Sequence, residues 1–146
     1  MSESMSRKVE IAHDICLYAH AGQVDKAGQP YHLHPENVAD HVDSETEKIV
    51  ALLHDVMEDT EFPASVLEVL FGDEVMTALG LLRHEPGIEY LDYIERLKAN
   101  AVARAVKEAD LDHNMQLKRL PSIGPDDIVR MEKYKKALAL LRQADK

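Results

Sequence analysis

The chain has 146 residues, 45% of them hydrophobic, which suits one domain around a single core and is too short for two of usual size. Its 27 acidic residues outnumber 17 basic ones, and the resulting formal charge of −10 repels polyanions, so nucleic acid is not an expected partner. Apolar runs such as Ile49 to Leu53 fall far short of the roughly 20 residues a membrane span needs. MSESMSRKVE lacks the apolar core of a secretory signal, and the lone Cys16 has no disulfide partner. The expectation is a single cytoplasmic domain over residues 1–146 with a buried, inert thiol.

In chain order, Val9, Ile11, Ala12, Ile15, Cys16, Tyr18 and Ala19 predict a helix over 6–21 that ends at Gly22. GQVDKAGQPYHLHP has two Gly, two Pro and no sustained period, the signature of a loop of functional length. A short helix follows over 35–42. Ser44 and Glu47 have capping-box spacing ahead of IVALLHDVM, which reads as a buried helix. Pro63 fits the first turn of a helix through Leu70, and Gly72-Asp73 restarts one that runs to about Arg83. Amphipathic segments then cover 88–98, 100–119 and 126–143. The fold class predicted is all-α, with about eight helices. Tyr134, Ala137, Leu138, Leu140 and Leu141 read as core or as the face of a possible homo-oligomer.

Four ionisable groups interrupt the apolar helix at ALLHDVMEDT, residues 51–60. His54 and Glu58 are four apart, as are Asp55 and Asp59, so each pair stacks along one face. Desolvating them without partners costs several kcal/mol, about 2–7 for an unpaired polar group and more for a charge. A divalent cation is the simplest single partner for an imidazole and a carboxylate together. His34 stands at a loop-to-helix boundary before Pro35, and Asp110 lies in KEADLDHNM, a second helix with an interrupted apolar pattern. Two nitrogen and two oxygen donors could thus converge on one ion, a mixed set that suits manganese, iron or zinc better than calcium or magnesium.

AHAGQVDKAGQPYHLHPENVA at 19–39, IVALLHDVMEDT at 49–60, Phe71-Gly72 and VKEADLDHNM at 106–115 occur in an order and at separations that resemble the HD-domain phosphohydrolases. Within them the chain is most similar to the alarmone hydrolase domain of RelA/SpoT proteins, including short single-domain relatives. The resemblance implies a compact helical HD-domain fold with His34, His54, Asp55 and Asp110 as metal ligands, manganese first among the candidates. It implies that Glu58 and Asp59 polarise the attacking water. It places Asn114 against the nucleotide, Leu120 in the base pocket and Lys26 in the loop that packs on the base. The implied reaction is hydrolysis of the 3′-pyrophosphate of guanosine 3′,5′-bispyrophosphate. The alternatives are a nucleotidase or phosphatase acting on another phosphorylated nucleotide, or a non-catalytic nucleotide-binding module.

One departure is Asp25, where the family usually has Arg or Lys, so that a base- or phosphate-facing cation is missing. Arg104, Lys107, Lys118 and Arg119 surround Asp110 in sequence and are the expected source of a local positive field. The chain ends about three dozen residues after Asp110, so no synthetase domain is expected. His32 is a possible competitor of His34 for the metal. His13, His20, His41, His84 and His113 are expected at the surface, at helix ends or behind the ligands.

Overall fold

The computed structural model of the chain describes residues 6–116 and 122–143. Among these residues there are eight α-helices: α1 (Arg7–Ala19), α2 (Leu33–Asp40), α3 (Glu45–Asp59), α4 (Ala64–Phe71), α5 (Asp73–Leu82), α6 (Tyr90–Leu97), α7 (Ala101–Asn114) and α8 (Pro125–Arg142). The all-α expectation holds.

The organising element is α3. Ser44 Oγ accepts the Glu47 N–H at 3.1 Å while the Glu47 carboxylate accepts the Ser44 N–H at 3.2 Å, so both sides of the expected capping box are formed. Every residue from Ile49 to Val56 is buried, which a helix achieves only when neighbours enclose it on all faces. Those neighbours are α1, α2, α5 and α7. Leu52, Leu53, Leu79 and Leu111 are wholly enclosed here, and each such side chain contributes about 1.5–3 kcal/mol relative to exposure. The remaining helices pack outward from this layer, α4 on α5 and α8 on both α6 and α7.

Three details differ from the sequence expectation. Pro63 caps α4 from outside, with an extended ψ of 123°, instead of lying in its first turn. Helix α1 stops at Ala19, because after the helical bond of His20 N–H to Cys16 O the N–H of Ala21 tightens to Tyr18 O at 3.3 Å and Gly22 follows with φ +83°. Helix α7 ends at Asn114, and residues 117–121 lie outside the described part, Leu120 among them.

The loop before α2 is more ordered than its composition suggests. An antiparallel bridge joins Val24 to Pro30, with Asp25 N–H donating to Gln29 O at 2.8 Å and Tyr31 N–H to Gln23 O at 2.9 Å. Gly28, at φ +81°, makes the turn that closes it. The closed loop delivers Tyr31 and His34 onto the end of α3.

Candidate metal centre

Three helices bring the donors together. The first turn of α2 supplies His34, the buried stretch of α3 supplies His54 and Asp55, and α7 supplies Asp110. His34 Nε2 lies 2.7 Å from Asp110 Oδ1 and 3.9 Å from Asp55 Oδ2, while His54 Nε2 lies 3.4 Å from Asp55 Oδ2 and 3.6 Å from Asp110 Oδ1. All four residues are at most 9% exposed. His34, His54 and Asp110 each offer a ligand atom within 4.8 Å of the other two, and Asp55 adjoins them from the neighbouring acidic group.

The hydrogen bonding supports the fit. His54 Nδ1 donates to Ala51 O at 2.7 Å, which leaves Nε2 facing the cluster, and that atom is buried with no hydrogen-bond partner. Burial opposes a charge on His54, but Asp55 and Asp110 prevail and push its pKa up to about 9. An imidazolium therefore compensates the two carboxylates when no cation is present. A divalent ion held by these residues would supply that compensation in place of the proton. Burial also opposes the charge of Asp110, yet Lys107, with Nζ 3.0 Å from Oδ2, and the hydrogen bond from His34 hold it well below the usual carboxylate range.

A second acidic group adjoins the first on the open side of α3. Asp55, Glu58 and Asp59 offer oxygens within 4.8 Å of one another. Glu58 Oε2 accepts the His84 N–H at 2.9 Å, which ties it to the end of α5. Burial, then Asp55 and Glu58, push the carboxyl of Asp59 upward.

A cleft of about 310 Å³ opens beside His34, lined among others by Lys26, Tyr31, Asn114, Arg130 and Tyr134. Lys26 and Asn114, which the resemblance assigns to the nucleotide, both line this cleft. Asn114 also donates to Asp110 Oδ1 at 3.2 Å. The departure at position 25 acquires a structural reason: Asp25 Oδ1 accepts the N–H groups of Ala27 (2.9 Å) and Gln29 (3.0 Å), holding the loop closed.

Other residues stand apart from the cluster or take different parts. His32 turns to Glu36, with Nδ1 2.9 Å from Oε1, and His13 meets the other oxygen of the same carboxylate. His41 bonds to Asn37 O. Lys107 corrects the expectation of a positive field for substrate, because it is consumed by Asp110 below the rings of Tyr93 and Tyr90. Lys118, Arg119 and Leu120 lie outside the described residues. Sequence reasoning missed Tyr31, whose hydroxyl donates to Asp55 Oδ2 at 2.8 Å, and the α8 residues Asp127, Arg130 and Tyr134 of the cleft. The YHLHP run carried a signal for Tyr31; nothing local marked the α8 residues.

No protein-family model matches the chain. Its sequence is 36% identical over 131 residues to the guanosine-3′,5′-bis(diphosphate) 3′-pyrophosphohydrolase of Haemophilus influenzae, an alignment covering 79% of this chain and 19% of that protein. It is 32% identical over 148 residues to the bifunctional (p)ppGpp synthase/hydrolase SpoT of Escherichia coli, covering 86% of this chain and 20% of that protein. The chain is a homologue of the SpoT-type proteins. It spans about a fifth of the length of these curated relatives. A solved structure of a metazoan ortholog of SpoT, described as hydrolysing ppGpp, superposes with a TM-score of 0.77 at 24% identity, over 97% of this chain and 89% of that one. At that identity the superposition speaks for the shared fold.

Proposed function

We propose that the chain is a divalent-metal-dependent phosphohydrolase that removes the 3′-pyrophosphate of guanosine 3′,5′-bis(diphosphate). The observation that carries this reading is the convergence of His34 Nε2, Asp55 Oδ2 and Asp110 Oδ1 with His54 Nε2, a buried nitrogen that has no hydrogen-bond partner. These four residues are the proposed metal ligands, with manganese preferred and iron or zinc as alternatives for a mixed nitrogen and oxygen set. When bound, such an ion supplies water with a pKa near neutrality and polarises a phosphoryl oxygen.

The chain's own residues do the rest in this proposal. Glu58, fixed by the His84 N–H through one oxygen, orients the water and accepts its proton. Asp59, whose pKa is raised beside it, shares that proton. Tyr31 holds Asp55 from the loop side. Lys26, Asn114, Arg130 and Tyr134 line the space for the nucleotide; Leu120, which the resemblance assigns to the base pocket, lies outside the described residues. A cytoplasmic setting belongs to the same reading, supported by the single cysteine, Cys16, which is buried and free. Among the described residues no helix is long and apolar enough to cross a membrane.

Asp25 and Asp127 place two carboxylates in the same cleft as Lys26 and Arg130, which favours, as a second reading, hydrolysis of a less highly charged phosphorylated nucleotide. Pyrophosphate and inorganic phosphate release from a nucleotide panel separates the two, using manganese-loaded protein with Asp55→Ala as the control. Pyrophosphate from guanosine 3′,5′-bis(diphosphate), absent in the control, is the expected result. Turnover of another nucleotide alone selects the second reading, and no turnover with metal bound rejects both.

A further inference from the structure

The His34 ring is gripped at both nitrogens by one helix. Its Nε2 is 2.7 Å from Asp110 Oδ1, and its Nδ1 is 2.6 Å from Nδ1 of His113. Asp110 and His113 are three apart on α7 and so share a face, and the ring of His34 enters between them. The His34 and His113 rings lie nearly parallel, 19° apart with centroids at 4.9 Å, and His113 is 8% exposed.

Two ring nitrogens at that separation share one proton. With none, two lone pairs would face each other; with two, two N–H groups would collide. Without an ion, Nε2 of His34 donates to the Asp110 carboxylate; if it presents its lone pair to a cation instead, the proton of His34 sits on Nδ1, and Nδ1 of His113 becomes the acceptor. A partner of this kind fixes both the tautomer and the ring plane of a ligating histidine.

We propose that His113 is a positioning residue of the metal centre, accepting the Nδ1–H of His34 and thereby holding Nε2 of His34 free to bind the ion. The proposal rests on the metal-centre reading above. His113 touches neither the cation nor the substrate; it acts through His34. The requirement is for an acceptor at the place of Nδ1, not for an imidazole. The amide oxygen of Asn is attached to Cγ as Nδ1 is, so Asn at this position restores the acceptor and Leu does not.

The test is titration of metal-stripped protein with Mn²⁺ alone, for the native chain, His113→Leu and His113→Asn, with apoprotein thermal unfolding as a check that each variant folds. His113→Leu is expected to weaken Mn²⁺ binding roughly 10–100-fold, the usual effect of losing such a partner, and His113→Asn to recover most of it. Long-range ¹H–¹⁵N spectra of the native Zn²⁺-loaded protein are expected to show the His34 proton on Nδ1, a readout that needs no variant. A His34 proton on Nε2, or equal Mn²⁺ affinity in the native protein and His113→Leu, overturns the positioning role while leaving the metal centre standing. A native protein that binds neither ion overturns both readings at once.

Discussion

Lys107→Met tests how the site manages its charge. The Lys107 ammonium is 14% exposed and its partner carboxylate on Asp110 only 7%, with 3.0 Å between Nζ and Oδ2. Burial opposes the charge on Lys107, and Asp110 outweighs it, holding the pKa well above the usual lysine value. Met keeps most of the side-chain volume below the Tyr90 and Tyr93 rings but leaves Asp110 without its cation. Removing one partner of a buried pair costs about 3–5 kcal/mol. In a chain of this size each kcal/mol moves Tm by about 2–4 °C, so the metal-stripped variant should melt roughly 6–20 °C lower. A divalent ion at Oδ1 gives Asp110 a partner again, so the loss should shrink when Mn²⁺ is saturating, and the Tm gain on adding Mn²⁺ should be larger in the variant than in the native protein. Thermal unfolding followed by circular dichroism, with and without Mn²⁺, reads both quantities. A Tm loss of the same size in both conditions would refute the idea that Lys107 and the ion compensate the same carboxylate.

Three further outcomes are expected. Gly72 joins α4 to α5 at φ 85° and ψ −177°, a region nearly reserved for glycine, so Gly72→Ala should destabilise by about 1–3 kcal/mol in a denaturant titration while Mn²⁺ affinity stays unchanged. Glu36 lies below its ordinary value of 4.5: burial opposes this, and the hydrogen bonds from His13 and His32 prevail. A depressed carboxylate adds stability above its unfolded pKa and loses it as pH falls through the folded one. The Tm advantage over Glu36→Gln should therefore be present at pH 7 and vanish as the pH drops below 4.5. Finally, Mn²⁺ at one hundred times its Kd should stabilise the native protein by about 2.7 kcal/mol and Asp55→Ala far less; equal gains would place the ion elsewhere.

Much of the candidate site was legible because it is written in local spacing. The capping box at Ser44 and Glu47 announces α3, and polar groups inside its apolar run mark His54, Asp55, Glu58 and Asp59 before any tertiary contact is known. Asp25 was legible only as a departure. Its part in closing the loop depends on where the N–H groups of Ala27 and Gln29 point once the chain turns at Gly28. Lys107 shows the same limit, since a lysine three residues from an aspartate is equally consistent with a solvated face and with a buried ion pair. His113 had a local signal, its i+3 spacing from Asp110, but what that face meets is settled by the packing of α2 on α7. Arg130 and Tyr134 reach the cleft by the packing of α8, which no short-range pattern encodes.

The charge balance carries one more consequence. Asp25 and Asp127 offset Lys26 and Arg130 in the cleft, and Lys107 is taken up by Asp110, so the basic side chains described around the site leave little field to attract phosphate. Asp55, Glu58 and Asp59 then stand against the imidazolium of His54, and the metal-free site repels an anion. A divalent ion weakens that repulsion and gives phosphate a local positive charge to meet, because it adds two charges where at most one proton departs. In the proposed reading, binding of a phosphorylated nucleotide therefore depends on the ion and not only its hydrolysis. Equilibrium binding of guanosine 3′,5′-bis(diphosphate) to Glu58→Gln, a variant expected to turn over slowly, measures this directly. Affinity should fall by more than tenfold when the metal is stripped. An unchanged Kd would mean that the nucleotide is held by the α8 side of the cleft alone, and that the acidic cluster does not set the electrostatics of recognition.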